Sequence, residues 1–249
     1  MIKTILLTAA LLTSSLATAQ NQHFAVRYNG FDVVLDCDAN IPVYVHYKAT
    51  KDTGNEKRAS SFFIDKDVPS YCQQSSTDSY KIPYRIHAQL NKKISYDRGH
   101  LVPANHMDGN KVSIKQSNFM TNIVPMTRTV NRTGAWRQTE KLTECTRDIK
   151  DFDVHAGTIV GDDKRDDYFL ESHGAPTPDY LWKVLFDGED IISWLIPNDH
   201  NATKEKLDSY RVSVEHIEEM SGLKIPLPSH LKKFERQSEW AMPNNCDWR

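Results

Sequence analysis

Apolar and polar positions alternate in short bursts along much of the chain. Between residues 31 and 47, Val33-Val34-Leu35 and Val43-Tyr44-Val45 flank the turn residues Asn40 and Pro42, which predicts a pair of strands. Apolar, β-branched runs at 154–160, 181–186 and 191–196 predict central strands of a sheet. The period changes from 134 to 148, where Trp136, Glu140, Thr143 and Arg147 recur every three or four residues and share one helix face. Leu207, Tyr210, Val214 and Ile217 repeat in the same way, with Gly222 as a stop, and a last short helix is expected over 231–240. Residues 49–80 are polar and rich in serine, with Gly54 and Pro69, and predict a long surface loop. From 97 to 110, Gly, Pro and Asn place a strand giving way to a loop. The class is α+β, a mixed sheet core with flanking helices.

The ends and the cysteines bear on compartment. Residues 1–19 have the layout of a secretory signal: Lys3 supplies the charge, residues 5–16 an apolar stretch, and Ala17-Thr18-Ala19 a cleavage site. That stretch is too short and too interrupted by Thr and Ser to span a bilayer, and no later run reaches about 18 apolar residues. The expectation is an exported chain, periplasmic or secreted, starting near Gln20 as one domain over 20–249. No repeat or linker divides it. Cys37, Cys72, Cys145 and Cys246 form an even set, which in an exported chain favours two structural disulfides. No pair has the Cys-x-x-Cys spacing of a zinc or redox site. Three pairings are open; Cys37 with Cys246 would tie the two ends together.

Charge changes the picture only when divided. Without Lys3 the chain carries 30 Lys and Arg against 33 Asp and Glu. Residues 81–150 alone hold 13 basic and 5 acidic groups, a net of +8, which leaves 17 against 28 elsewhere. A concentrated positive segment argues for a polyanionic partner that the whole-chain charge would argue against.

That segment contains Tyr96-Asp97-Arg98-Gly99-His100, followed by Asn122, Asn131, Trp136 and Glu140. Hydrolysis of a phosphodiester with one hard metal ion calls for this inventory: a base for water, oxygen ligands, and fixed cations for developing charge. His100 can act as the base, since imidazole titrates near neutrality; a metal ligand or a structural histidine are the alternatives. Asp97 would support the site by orienting the ring or organising water, and Gly99 would permit a strained turn. Asn131 offers a hard neutral oxygen suited to Mg²⁺, or else caps the following helix. Glu140, two turns on, can hold metal-bound water or be a solvated helical charge. Arg98 and Arg58 are candidate phosphate cations.

Asp97-Arg98-Gly99-His100, Asn118-Phe-Met-Thr-Asn122-Ile-Val-Pro125 and Asn131…Trp136…Glu140 together closely resemble the sugar-non-specific DNA/RNA endonucleases. That family includes secreted bacterial nucleases and mitochondrial endonuclease G, and carries a ββα-metal (His-Me finger) unit. Lys57-Arg58-Ala-Ser-Ser-Phe62, Pro178-Asp-Tyr-Leu-Trp182-Lys183-Val184, Ile196-Pro197-Asn198 and Glu218-Glu-Met-Ser-Gly222-Leu223 extend the likeness across most of 40–225. The resemblance implies His100 as general base, Asn131 as direct ligand of Mg²⁺ (Mn²⁺ a possible substitute) and Glu140 organising metal-bound water. It also implies Asn122 near the scissile phosphate, Arg58 stabilising the transition state, and DNA and RNA as substrates cut to 5′-phosphate and 3′-hydroxyl ends.

Two departures stand out. The spacing from Asn131 to Trp136 is one residue longer than the family's. The position one turn after Glu140, often basic in the family, is Glu144, with Arg147 nearby. Two other readings remain: a nucleic-acid-binding protein of the same fold with weak catalysis, and a phosphodiesterase for small nucleotides. Oligomeric state is not legible.

Overall fold

The computed structural model describes residues 22–84, 86, 94–233, 240, 242, 243 and 246. The signal-like segment at 1–19 lies outside the described residues, as does most of the helix expected over 231–240. The described residues begin with strands β1 (His23–Arg27), β2 (Phe31–Asp36) and β3 (Ile41–Ala49). A separate pair, β4 (Tyr96–His100) and β5 (Ile123–Thr127), follows, and then β6 (Phe152–Ile159), β7 (Tyr180–Phe186) and β8 (Ile191–Pro197). One antiparallel sheet runs β1-β2-β3-β6-β7-β8, while among the described residues β4 and β5 pair only with each other.

Helices among the described residues include α1 (Lys111–Ser117), α2 (Arg128–Arg132), α3 (Ala135–Arg147), α4 (Leu170–His173) and α5 (Val214–Ser221). Trp136 of α3, Trp182 of β7 and Trp194 of β8 are all essentially buried. β7 and β8 bury almost every side chain, which explains their unbroken apolar runs. Lys183 is drawn into this core, its Nζ 3.8 Å over the Trp136 ring, and burial pushes its pKa down to about 8.

Three expectations change. The periodic stretch 207–222 is two elements, a 3-10 turn Lys204–Tyr210 and α5. Between them the sheet edge captures the chain: Val212 N donates to Ser193 O, Ser193 Oγ donates to Val212 O, and Ser213 caps α5. Ala49 ends β3 and residues 50–80 form no named strand, but not all of them lie on the surface. Gln73 and Gln74 are buried because their amides replace missing backbone partners, Gln73 on Asp65 O and Val68 O, Gln74 on Ile123 O. The disulfides are Cys37–Cys72 and Cys145–Cys246, which corrects the Cys37–Cys246 pairing. The first anchors the buried part of 49–80 to the end of β2; the second fixes the last turns of α3.

Adjacent strands β3 and β6 set His46 and His155 opposite each other, their rings 4.6 Å apart. Burial first, then the His46 charge, pushes the His155 pKa down to about 3. Unfolded chains therefore take up this proton near pH 6.5 while the folded chain does not. Stability present above that pH is lost as pH falls toward 3, at about 1.4 kcal/mol per pH unit. Melting curves from pH 7 to 4 should show the parent losing stability more steeply than His155→Gln. Parallel slopes would refute the assignment.

Candidate active site

The pair β4–β5 followed by α2 and α3 forms the ββα unit, and the long connection between its strands holds α1. Side chains alternate along β4. Arg98 and His100 therefore share a side, each packing on Phe62: the Arg98 guanidinium lies 4.0 Å over the ring and the His100 ring 5.5 Å away. Asp97 faces the other way. Gly99 is extended rather than in a turn, and its requirement is space: a Cβ there would meet Met126 Sδ of β5 at 2.3 Å.

His100 is buried at the end of β4. Its Nε2 lies 2.9 Å from Oδ1 of Asn118, while Asn118 Nδ2 donates to Ala59 O at 2.8 Å and Ser61 O at 3.1 Å. With both amide hydrogens committed, Asn118 presents an oxygen, so His100 Nε2 carries the proton and Nδ1 keeps its lone pair. Segment 50–63 forms a strap along this edge, tied by Glu56 N to Asp108 O and by a parallel bridge between Phe63 and Phe119. The strap lays Arg58 against the imidazole, its Nη2 3.4 Å from Nε2 and 3.5 Å from Nδ1. Burial first, then the Arg58 charge, holds the His100 pKa down to about 3, with the Asn118 bond working in the opposite direction. The ring is a neutral proton acceptor at physiological pH.

Asp97 makes no bond to His100. It accepts from Asn131 Nδ2 at 3.1 Å and from both Nε and Nη2 of Arg132, at 2.7 and 2.8 Å. These bonds hold its carboxyl below the usual range against the opposing effect of burial. What Asp97 orients is therefore Asn131, not the imidazole: holding Nδ2 turns Oδ1 away from itself. Asn131 sits inside α2, and the N-cap of α3 is Gly134 with no side-chain cap, so Asn131 does not cap α3. Glu140 follows on α3, paired with Arg137 at 3.0 Å. Arg58, Arg98, His100, Asn131 and Glu140 all line one cleft of about 500 Å³. Asn122 does not reach it. Fully buried, it accepts from Val102 N and donates to Val102 O and Ser117 O, bracing the connection instead of facing a phosphate.

The chain is similar to known proteins. The family model for DNA/RNA non-specific endonucleases matches residues 8–229. The chain belongs to that family. Mitochondrial nuclease EXOG of Xenopus laevis is 24% identical over 197 residues, covering 73% of this chain and 51% of that protein. The Danio rerio protein of the same name is 24% identical over 155 residues, covering 56% and 45%. This endonuclease-family chain thus spans about half the length of the curated relatives it matches. A chain in the crystal structure of the EndoG/EndoGI complex, a study of EndoG inhibition, shares the fold at TM-score 0.61 and 18% identity, covering 81% of this chain and 84% of that one.

Between Asn131 and Trp136 the chain makes the turn Thr133-Gly134. Gly134 N bonds Thr129 O, and a Cβ at Gly134 would strike Ala202 O at 2.4 Å. The acidic Glu144 has its own cationic surroundings. Its carboxylate accepts from Arg147 at 2.8 Å and Asn105 at 2.6 Å and pairs with His106 Nε2 at 2.7 Å. Those partners hold its pKa down to about 2 although burial works the other way. Arg147 is buried against Glu144 and Asp52 and serves this network. Reading the sequence alone missed three residues at this endonuclease site: Asn118, Arg132 and Arg137. Asn118 stood in a motif already quoted, and the only hint to its role was its carboxamide.

Proposed function

We propose that this chain is an exported, Mg²⁺-dependent endonuclease that hydrolyses DNA and RNA to 5′-phosphate and 3′-hydroxyl ends without regard to sequence. One observation carries the reading: a buried, neutral imidazole whose Nδ1 holds the lone pair beside Arg58 shares a cleft with a carboxamide oxygen set by Asp97. His100 Nδ1 takes a proton from water as it attacks phosphorus. Arg58 and Arg98 stand beside it as fixed cations for the phosphate's growing charge. Contacts of that kind carry no base information, in keeping with low specificity.

The donor set fits a hard cation. Asn131 and Glu140 are the oxygen donors that would hold it, Asn131 directly and Glu140 through bound water. When bound, Mg²⁺ supplies charge stabilisation at the phosphate and leaving oxygens. Asp97, by fixing the Asn131 amide, prepares that ligand. Asp97→Ala should therefore raise the Mg²⁺ concentration needed for half-maximal cleavage by about 10- to 100-fold. An unmoved midpoint would refute the orienting role.

Export draws support from two disulfides and from the signal-like segment, and no helix among the described residues is long and apolar enough to cross a membrane. The direct test incubates plasmid DNA and RNA with the oxidised chain, in Mg²⁺ and in EDTA. Cutting of both polymers only with metal is expected. Binding without cleavage under Mg²⁺ or Mn²⁺ would favour the non-catalytic reading.

A further inference from the structure

The hollow around His100 does not end there. A second hollow of about 710 Å³ shares Arg98, Asn131 and Arg132 with it, and a third of about 550 Å³ shares Arg128 and Arg132 with the second. Arg132 borders all three. The second has an apolar floor from Phe62, Ile82 and Ile94. Its charged walls are Lys81, Arg98, Arg128 and Arg132 against one carboxylate, Asp97, among the described residues. The third is bordered by Arg128, Arg132 and His200, with no carboxylate among the described residues. The cleft at His100, in contrast, includes Glu56, Asp108 and Glu140 in its wall.

A polyanion leaving the cleavage point over Arg132 toward Arg128 therefore follows a surface where cations outnumber carboxylates. We infer that this side is a binding track for the phosphodiesters neighbouring the scissile one, and that it makes a polynucleotide a better substrate than a small diester. The inference rests on the nuclease reading above. Within the track the two arginines differ. Arg132 is locked in a bidentate pair with Asp97, so its removal would also loosen Asn131. Arg128, 56% exposed and 3.9 Å from the same carboxylate, is the cation presented to a strand, with Lys81 across the hollow.

The test compares the parent with the double variant Arg128→Gln, Lys81→Gln on a single-stranded oligodeoxynucleotide and on bis(p-nitrophenyl) phosphate. For the oligonucleotide, KM should rise about 5- to 20-fold while kcat changes far less. The slope of log binding constant against log salt should fall by about 1.4, the release expected for two phosphate contacts on a single strand. The small diester should lose at least fivefold less in kcat/KM than the polymer. Unchanged KM and salt slope would overturn the track. Equal losses on both substrates, with kcat falling, would also overturn it, since the damage would then lie at the cleavage centre. A parent that cuts neither substrate would instead remove the nuclease reading itself.

Discussion

Replacing His100 with alanine is expected to lower DNA and RNA cleavage by about 10²- to 10⁴-fold, the usual contribution of a positioned general base. Binding to nucleic acid should persist, because the cations at Arg58, Arg98 and Arg128 are untouched. The substitution empties a buried position and strands the oxygen of Asn118, so a stability cost of roughly 1–3 kcal/mol accompanies it. His100→Gln keeps a hydrogen-bond donor for Asn118 and fills more of the space. Both variants should melt cooperatively, and both should be inactive. Full activity in a folded His100→Gln would end the assignment of the base. The parent's low imidazole pKa adds a signature: the base should stay deprotonated well below pH 6.5, so acid loss of activity in the free enzyme should not follow an ordinary histidine titration.

The second large effect is at Asn131. Asn131→Ala removes the carboxamide that Asp97 orients and should cut turnover at limiting Mg²⁺ by roughly 10³-fold, as loss of several kcal/mol of charge stabilisation requires. The informative readout is the metal titration. Its midpoint should move to higher Mg²⁺ in Asn131→Ala and stay in place in His100→Gln. Identical midpoints in the parent and Asn131→Ala would exclude Asn131 as a ligand.

Much of this architecture was legible from periodicity. The strands at β2, β3 and β6 to β8 and the helix carrying Trp136 and Glu140 lie where apolar spacing put them, because a strand and a helix impose different periods on buried positions. Local spacing failed where a distant partner decides. The Arg211–Ser213 break depends on Ser193 at the sheet edge, and the burial of Gln73 and Gln74 depends on backbone that needs their amides. The site divides in the same way. His100, Arg58, Asn131 and Glu140 were chosen because their residue types suit phosphodiester chemistry, and the fold brings them to one cleft. The tasks of Asp97 and Asn122 were misread because they depend on direction. Asp97 and His100 lie three residues apart on a strand and so point to opposite sides. The Asn122 amide is consumed by Val102 and Ser117, neighbours that no spacing rule identifies.

Asn118 grips the strap through the Ala59 and Ser61 carbonyls and His100 through its oxygen. The course of the strap and the readiness of the imidazole are therefore inherited as one trait. A change in the strap that withdraws those carbonyls and a change at Asn118 itself injure the same arrangement, so the second adds little harm once the first has occurred. Such epistasis narrows the routes by which this edge of the molecule can drift: strap, carboxamide and histidine have to change together or hardly at all.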